Sequence, residues 1–152
     1  MLDADLPTVK AISDAVHGAY TEDEAVYAER LKLHSAGCRI FERHGEPLGY
    51  CIAHPWRRKA PPPLNRPLGV IPVDAEAYHL HDIALLPAAR GTGAGKAAIA
   101  EVIERAMAGG FGTIRLVAVN DAADFWTSQG FIRLPDLAHG YGAEACVMQR
   151  SL

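Results

Sequence analysis

One stretch, residues 80–96, constrains the fold of this chain more than any other. Residues 80–86 are almost continuously apolar, which is typical of a strand covered on both faces, and Pro87 ends that strand. Three glycines follow at every second position: Gly91, Gly93 and Gly95. From Lys96 onward the apolar residues recur with the period of a helix. The stretch therefore predicts a strand, a glycine-rich turn and a helix whose N-terminus favours an anion such as phosphate.

Three phosphate-binding patterns can be compared with this turn. The P-loop pattern needs a glycine where Arg90 stands and a hydroxyl where Ala97 stands. A dinucleotide pattern can be drawn through Gly93, Gly95 and Ala98, but the acidic residue that should end a second strand roughly 20 residues later is missing. The third pattern, Arg/Gln-x-x-Gly-x-Gly/Ala, is met without a gap by Arg90, Gly93 and Gly95.

The rest of the chain predicts alternating helices and strands around this unit. We expect helices over residues 5–19, 21–34, 96–108 and 120–129, and strands over residues 38–42, 48–53, 78–86, 113–119, 131–134 and 144–150. Thr21 and Glu24 have the spacing of a capping box at the start of the second helix. The strand over 78–86, its helix and the strand over 113–119 form a βαβ unit with a parallel strand pair.

The segment over residues 54–73 contains six prolines, which forbid regular structure over most of it. It also holds the only dense basic run, at residues 56–59. A loop of this length in a compact domain is often functional, although it could merely cover a sheet edge.

Composition bounds the class of protein. At 152 residues the chain is most simply one domain over residues 1–152, and a formal charge of −3 argues against a nucleic-acid or anionic-membrane partner. No apolar run approaches the ~18 residues of a membrane-spanning helix. The three cysteines lack metal-ligand spacing, so we expect reduced thiols in the cytoplasm. Cys38 and Cys51 lie on the two arms of the predicted hairpin, either facing each other or as separate buried residues.

The pattern at Arg90, Gly93 and Gly95, with its strand and helix, resembles the coenzyme A pyrophosphate loop of the GNAT superfamily of acyl-CoA-dependent N-acetyltransferases. Residues 113–131 extend the resemblance through a strand, an asparagine, a small-residue helix, an aromatic pair and Gly-Phe. It implies an α/β (α+β) fold: a mixed, mostly antiparallel sheet of six to seven strands with a central splayed parallel pair, flanked by about four helices. The family's first strand is missing or reduced to residues 1–2.

The resemblance also implies a function, namely transfer of the acetyl group of acetyl-CoA to a primary amine by direct attack. The acceptor would be a small molecule or a peptide. A homodimer is compatible with the sequence. The pantetheine arm of coenzyme A would bond to the backbone of Ile83, Ala84 and Leu85. The pyrophosphate would rest on the glycine turn: Gly91, Thr92, Gly93, Ala94, Gly95 and Lys96. Arg90, Asn120 and Trp126 complete the expected cofactor-binding set. The alternative is a non-catalytic acyl-CoA-binding or sensor domain on the same fold.

Two residues just upstream of the presumed thioester, His81 and Asp82, are candidates for the general base. Histidine titrates near neutrality, whereas Asp82 would need a raised pKa or a water chain. Successive strand residues face opposite sides, so we expect one of the two to face the acceptor. The alternative is a hydrogen-bonded strand histidine beside a surface or ion-paired aspartate. His79 and His81 share a face, but no third ligand has suitable spacing, so we predict no metal.

The acid that would protonate the leaving thiolate is less clear. Many family members carry a tyrosine where this chain has Trp126, and an indole N–H is a donor without useful acidity. Trp126 is therefore expected to form an apolar wall beside the thioester, with Tyr141 or His139 as the alternative acid. On the acceptor side, we expect residues 57–73, with Arg57 and its basic neighbours Arg58 and Lys59, to line or gate the pocket.

Overall fold

A computed structural model describes residues 1–135, 138 and 140–152. The described helices are α1 (Leu6–His17), α2 (Glu24–His34), α3 (Ala94–Ala108) and α4 (Ala123–Ser128). The described strands are β1 (Cys38–Arg43), β2 (Glu46–Trp56), β3 (Ala77–Leu85), β4 (Thr113–Ala118), β5 (Ile132–Arg133) and β6 (Cys146–Ser151).

The six described strands form one mixed sheet in the order β1-β2-β3-β4-β6-β5. Every neighbouring pair is antiparallel except β3 and β4, which are parallel and joined through α3. The predicted mixed sheet, its central parallel pair and the four helices are confirmed. Before α1 the chain begins with a short 3-10 turn at Asp3–Asp5, so residues 1–2 form no strand.

The core has two parts, one on each face of the sheet. On one face α3 and α4 cover β3, β4 and β6, where Leu80, Leu116 and Met148 are buried with Ile99 of α3. On the other face α1 and α2 cover β1 and β2, with Val9 and Tyr27 packed against Tyr50 and Ile52. β3 contributes to both parts, Leu80 to the first and Ala84 to the second, so its apolar run follows from burial on both faces.

One local prediction from the N-terminal half is wrong, and of the two alternatives for Cys38 and Cys51 the structure has the second, separate buried residues. Asp23, with no side-chain cap hydrogen bond, precedes α2, so the capping box does not form; the Thr21 hydroxyl instead donates to Asp14 Oδ1 at 2.7 Å. Cys38 and Cys51 do not face each other, because Cys38 lies opposite Ile52 in the β1–β2 register and belongs to the core beneath α1 and α2. Cross-strand partners share a face, which places Cys51 on the other side of the hairpin.

Between β2 and β3 the proline-rich segment crosses the sheet on the α2 side. Its Pro62 is fully buried, and the guanidinium of the buried Arg30 on α2 donates to the Arg66 carbonyl at 3.0 Å. Within the described residues, no helix combines the length and the hydropathy that a bilayer span requires.

Candidate active site

A cavity of about 370 Å³ lies where the central strands of the sheet diverge. β3 and β4 pair only at Tyr78 with Ile114 and at His79 with Arg115, whereas β3 continues along β2 as far as Leu85. β4 continues along β6 to Ala118. From Leu80 onward, therefore, β3 has no ladder partner on its β4 side, and the predicted splay of the parallel pair is present.

A β-bulge turns two consecutive residues of β3 toward this cavity. The β2–β3 register passes from Ile52 opposite Asp82 directly to Ala53 opposite Leu80, which leaves His81 as the extra residue. A bulge bends its strand and redirects the side chains. His81 and Asp82 both border the cavity, together with Leu80 and Ile83 on either side of them.

His81 is held by a buried carboxylate. Its Nε2 lies 2.7 Å from Glu22 Oε2, and the side chains of both residues are at most 3% exposed. Because a carboxylate only accepts hydrogen bonds, Nε2 carries the hydrogen, and in the neutral imidazole Nδ1 carries the lone pair. That Nδ1 is buried without a hydrogen-bond partner among the described residues. The backbone N–H of Asn65 donates to the other Glu22 oxygen at 2.7 Å, which fixes the carboxylate in turn.

Asp82 is committed to a different pair. Its Oδ1 lies 2.7 Å from His17 Nε2, and its Oδ2 accepts a hydrogen bond from the Tyr50 hydroxyl at 2.5 Å. Burial opposes the charge of Asp82, but the adjacent His17 outweighs burial and lowers the pKa of the carboxyl. Burial likewise disfavours the imidazolium of His17, and Asp82 more than offsets it, so the pKa of His17 is raised. The two form an ion pair, and the raised pKa that Asp82 would need as a base is not present.

The partners of the two candidates, His17 and Glu22, were missed by the sequence reasoning. His17 ends α1, and Glu22 lies in the turn before α2, 59 residues from His81 in the chain. The acidic run over residues 21–24 was interpreted as a helix start. The available signal was a histidine and a carboxylate flanking the end of one helix, and that pattern is too common to indicate a site.

The glycine turn joins β3 to α3 in a conformation that needs glycine. Gly91 and Gly93 have φ values of +74° and +90°, and Gly93 immediately precedes the first helical residue, Ala94. A Cβ at either glycine would meet nothing within 4 Å, so backbone conformation and not crowding excludes other residues. The Thr92 hydroxyl donates to the Ala89 carbonyl at 2.7 Å and braces the turn.

This turn fits a pyrophosphate. α3 begins at Ala94 and not at Lys96, so the unpaired N–H groups of its first turn belong to residues within the glycine turn itself. The Lys96 side chain is exposed. Arg90 borders the cavity, where its Nε donates to the Leu85 carbonyl at 3.3 Å. Ile83 and Leu85 also border the cavity, while the side chain of Ala84 points to the α1 side and is buried there.

The wall beyond β4 is aromatic. Asn120 borders the cavity with φ +51°, a left-handed conformation that asparagine tolerates better than most residues. Trp126 also borders it, 6% exposed, with ring contacts to Phe125 at 5.0 Å and to Phe131 at 5.4 Å between centroids. This placement suits the apolar wall expected of Trp126.

Of the two alternative acids, Tyr141 lies within the described residues and His139 does not. Tyr141 borders the cavity, but its hydroxyl already donates to the Pro62 carbonyl at 2.8 Å, and burial raises its pKa. Both features make it a poorer proton donor. His139 lies outside the described residues.

The proline-rich segment reaches the cavity, although not through its basic run. Leu64 borders the cavity. Arg57 pairs instead with Asp74 at 3.2 Å, and Arg58 donates to the Thr113 hydroxyl at 3.2 Å, away from the cavity. Lys59, like Arg57 and Arg58, is exposed and is not among the described residues that border the cavity, so the expected role of the basic run is wrong.

Two other histidines, His54 on β2 and His79 on β3, lie opposite each other at the paired end of β3. Their rings are 5.8 Å apart, and neither borders the cavity. Burial lowers the pKa of His54 to about 3 and that of His79 well below its usual value. Within the described residues, no group of histidine, cysteine and carboxylate side chains is arranged to hold a metal ion.

Comparison with known proteins adds to this geometry. A model described as the acetyltransferase (GNAT) family matches residues 8–131. No curated protein matches the chain in sequence. Three solved structures illustrate the similarity of fold, at sequence identities that are low throughout.

The GphF GNAT-like decarboxylase in complex with isobutyryl-CoA is 15% identical with a TM-score of 0.81, covering 99% of this chain and 96% of that one. The ribosomal-protein-alanine N-acetyltransferase from Brucella melitensis is 24% identical with a TM-score of 0.68, covering 100% and 97%. The phosphinothricin acetyltransferase from Sinorhizobium meliloti, in complex with acetyl-CoA, is 23% identical with a TM-score of 0.68, covering 100% and 85%.

Proposed function

Because this chain belongs to the acetyltransferase (GNAT) family, we propose that it transfers the acetyl group of acetyl-CoA to a primary amine that attacks the thioester directly. One observation carries the proposal: the glycine turn and the Glu22–His81 pair border a single cavity in the opening of the sheet. A nucleotide-binding loop and a candidate base thus meet at one space.

The residues that would hold acetyl-CoA lie along one side of this space. The N–H groups of residues 91–96 and the nearby Arg90 would bind the pyrophosphate, since a helix N-terminus favours anions. The unpaired backbone edge of Ile83, Ala84 and Leu85 would bond to the pantetheine arm as a further strand would. When bound, acetyl-CoA supplies an activated acetyl group, and Asn120 and Trp126 would confine it from the β4 side.

His81 would act as the general base. The acceptor amine attacks only in its neutral form, so its ammonium must first lose a proton. The lone pair on His81 Nδ1 would receive that proton directly or through one water. Glu22 would hold the required tautomer and stabilise the imidazolium once it forms. Asp82 would position His81, because its ion pair with His17 and the hydrogen bond it accepts from Tyr50 fix the bulged strand.

No acid is required for the leaving group in this proposal. A free thiol has a pKa of about 8.5, so near pH 8 a thiolate is stable enough to depart without first being protonated. Trp126 would then serve by packing against the thioester and excluding water. We place the reaction in the cytoplasm, in keeping with three cysteines that form no disulfide.

The test is release of free coenzyme A from acetyl-CoA in the presence of a panel of primary amines, followed with a thiol reagent. We expect amine-dependent thiol release, together with an acetylated amine detected by mass spectrometry. Tight binding of acetyl-CoA with no turnover across the panel would instead favour a non-catalytic sensor.

A further inference from the structure

The cavity has two chemically different sides. The glycine turn, β4 and α4 form one side, which is assigned above to the cofactor. The other side, formed by the end of α1, the following turn and the proline-rich segment, is where an acceptor would enter. Four side chains line it with apolar or aromatic surface: Val16, Tyr20, Leu64 and Tyr141. Because the Tyr141 hydroxyl is already bonded to Pro62, that residue presents mainly its ring.

The charges on this acceptor side are dominated by carboxylates. Glu22 and Asp82 border the cavity, and His17, which also borders it, is paired with Asp82 at 2.7 Å. The other described cation on the cavity wall is Arg90, which belongs to the glycine turn. The ion pair of His17 and Asp82 is neutral as a whole, so Glu22 is the carboxylate that attracts an ammonium group to this side. Among the described residues of this side, a substrate carboxylate would meet no cation other than the paired His17.

Resting on the proposed acetyl transfer, we propose that the acceptor is a primary amine with an apolar or aromatic body and no carboxylate beside the amine. An arylalkylamine fits this description. An α-amino acid would bring an anion close to Glu22 and Asp82. A polyamine would place a second positive charge against the four apolar or aromatic side chains of this side, Val16, Tyr20, Leu64 and Tyr141.

Three amines separate these classes: 2-phenylethylamine, L-phenylalanine and spermidine. L-Phenylalanine is matched to 2-phenylethylamine except for its carboxylate. We expect kcat/KM for 2-phenylethylamine to exceed that for each of the other two by about 100-fold or more, as an unpaired charge at a desolvated site costs that much. Equal or faster turnover of L-phenylalanine or spermidine would overturn this inference and leave acetyl transfer standing. No thiol release with any amine would overturn both.

A gain-of-function variant sharpens the test. Leu64→Lys places a cation on the acceptor side and should raise kcat/KM for L-phenylalanine relative to 2-phenylethylamine by about tenfold. Val73→Lys is the matched control, because Val73 lies on the same segment, is fully exposed and does not border the cavity. Tyr20→Arg repeats the test from the other wall should Leu64→Lys fold poorly. An unchanged ratio in both cavity variants, or an equal shift in Val73→Lys, would count against the inference.

Discussion

Strand β3 passes through two regions in which a buried histidine has different surroundings. In its first half it pairs with β4, and His79 lies there beside His54 of β2. In its second half it leaves β4, bulges, and carries His81 beside Glu22 at the cavity, near the ion pair of Asp82 and His17.

The difference lies in the partner of each imidazole. Among the described residues at the paired end, no carboxylate lies within hydrogen-bonding distance of either imidazole, so burial lowers the pKa of His54 and His79 and keeps both neutral. At the open end each histidine has a carboxylate at 2.7 Å: Asp82 for His17 and Glu22 for His81. A histidine on an apolar strand becomes a functional candidate only when the fold supplies a carboxylate and an adjoining cavity.

The largest expected effect comes from comparing one alanine variant in each region, His81→Ala and His79→Ala. His81→Ala should lower kcat by about 10²- to 10⁴-fold, the range that a general base contributes. His79→Ala should lower the unfolding midpoint but leave kcat of the folded protein within a few-fold. Steady-state thiol release, normalised to folded protein by circular dichroism, gives both values. Equal losses of kcat in the two variants would remove the functional distinction between the two ends of β3.

The next effect concerns the glycine turn. Gly93→Val should weaken coenzyme A binding by about 5- to 150-fold, because a left-handed conformation costs a β-branched residue about 1–3 kcal/mol. Gly69→Val is the control: Gly69 has φ +75° and equally open surroundings, but it lies on the proline-rich segment. Calorimetric titration with coenzyme A should show normal affinity for the control. Unchanged affinity in a folded Gly93→Val protein would contradict the cofactor assignment.

A third prediction uses the opposite pKa shifts of the two regions. The pKa of His54 is lowered to about 3, so its unfolded form binds a proton below pH 6.5 while the folded form does not. Stability should therefore fall as the pH drops from 6.5 toward 3, by about 1.4 kcal/mol per pH unit for one such group. The pKa of His17 is raised, so its contribution is complete below pH 6.5 and is lost as the pH rises through the folded value.

Urea unfolding of His54→Asn and His17→Asn against the parent, at pH 5 and pH 8, measures both signs. The free-energy gap between parent and His54→Asn should narrow at pH 5, whereas the gap for His17→Asn should narrow at pH 8. Gaps that change in the same direction would show that the two regions do not differ in this way.

The smallest expected effect is at the aromatic wall. Trp126→Phe should keep kcat within a few-fold, and Trp126→Tyr should keep or raise it, more so at low pH where protonation of the thiolate matters. Tyr141→Phe should also be mild, because its hydroxyl is bonded to Pro62. The pH dependence of kcat for the three variants decides the matter. A loss of about 10²-fold in Tyr141→Phe, with Trp126→Phe near normal, would identify Tyr141 as the acid.

The strands and the glycine turn could be predicted from sequence because their signals are local. Continuous apolar runs gave β3 and β4, and the turn with Gly91 and Gly93 marked the start of α3 to within two residues. These features depend on neighbours in the chain, and a single sequence records them directly. The splay between the strands was implied by the family resemblance and not by a local signal.

The open region could not be predicted in the same way. The bulge at His81 depends on the register against β2, and register is a property of two strands and not of one. The contact of Glu22 with His81 spans 59 residues, and nothing in either local pattern links them. The lowered pKa of Asp82 could not be predicted for the same reason, since it depends on His17, which lies 65 residues earlier in the chain.

The opening between β3 and β4 also has a consequence for lateral association. A sheet usually offers its two outermost strands as templates on which another chain can add a strand. Here the divergence creates two more unpaired edges, but they face each other across the cavity and are inaccessible to a second sheet. Of the outermost strands, β5 has two residues, so β1 is the longer template. Arg39 and Glu42 on β1, with Arg39 bound to Glu101, place charge along that edge and should discourage strand-to-strand polymerisation.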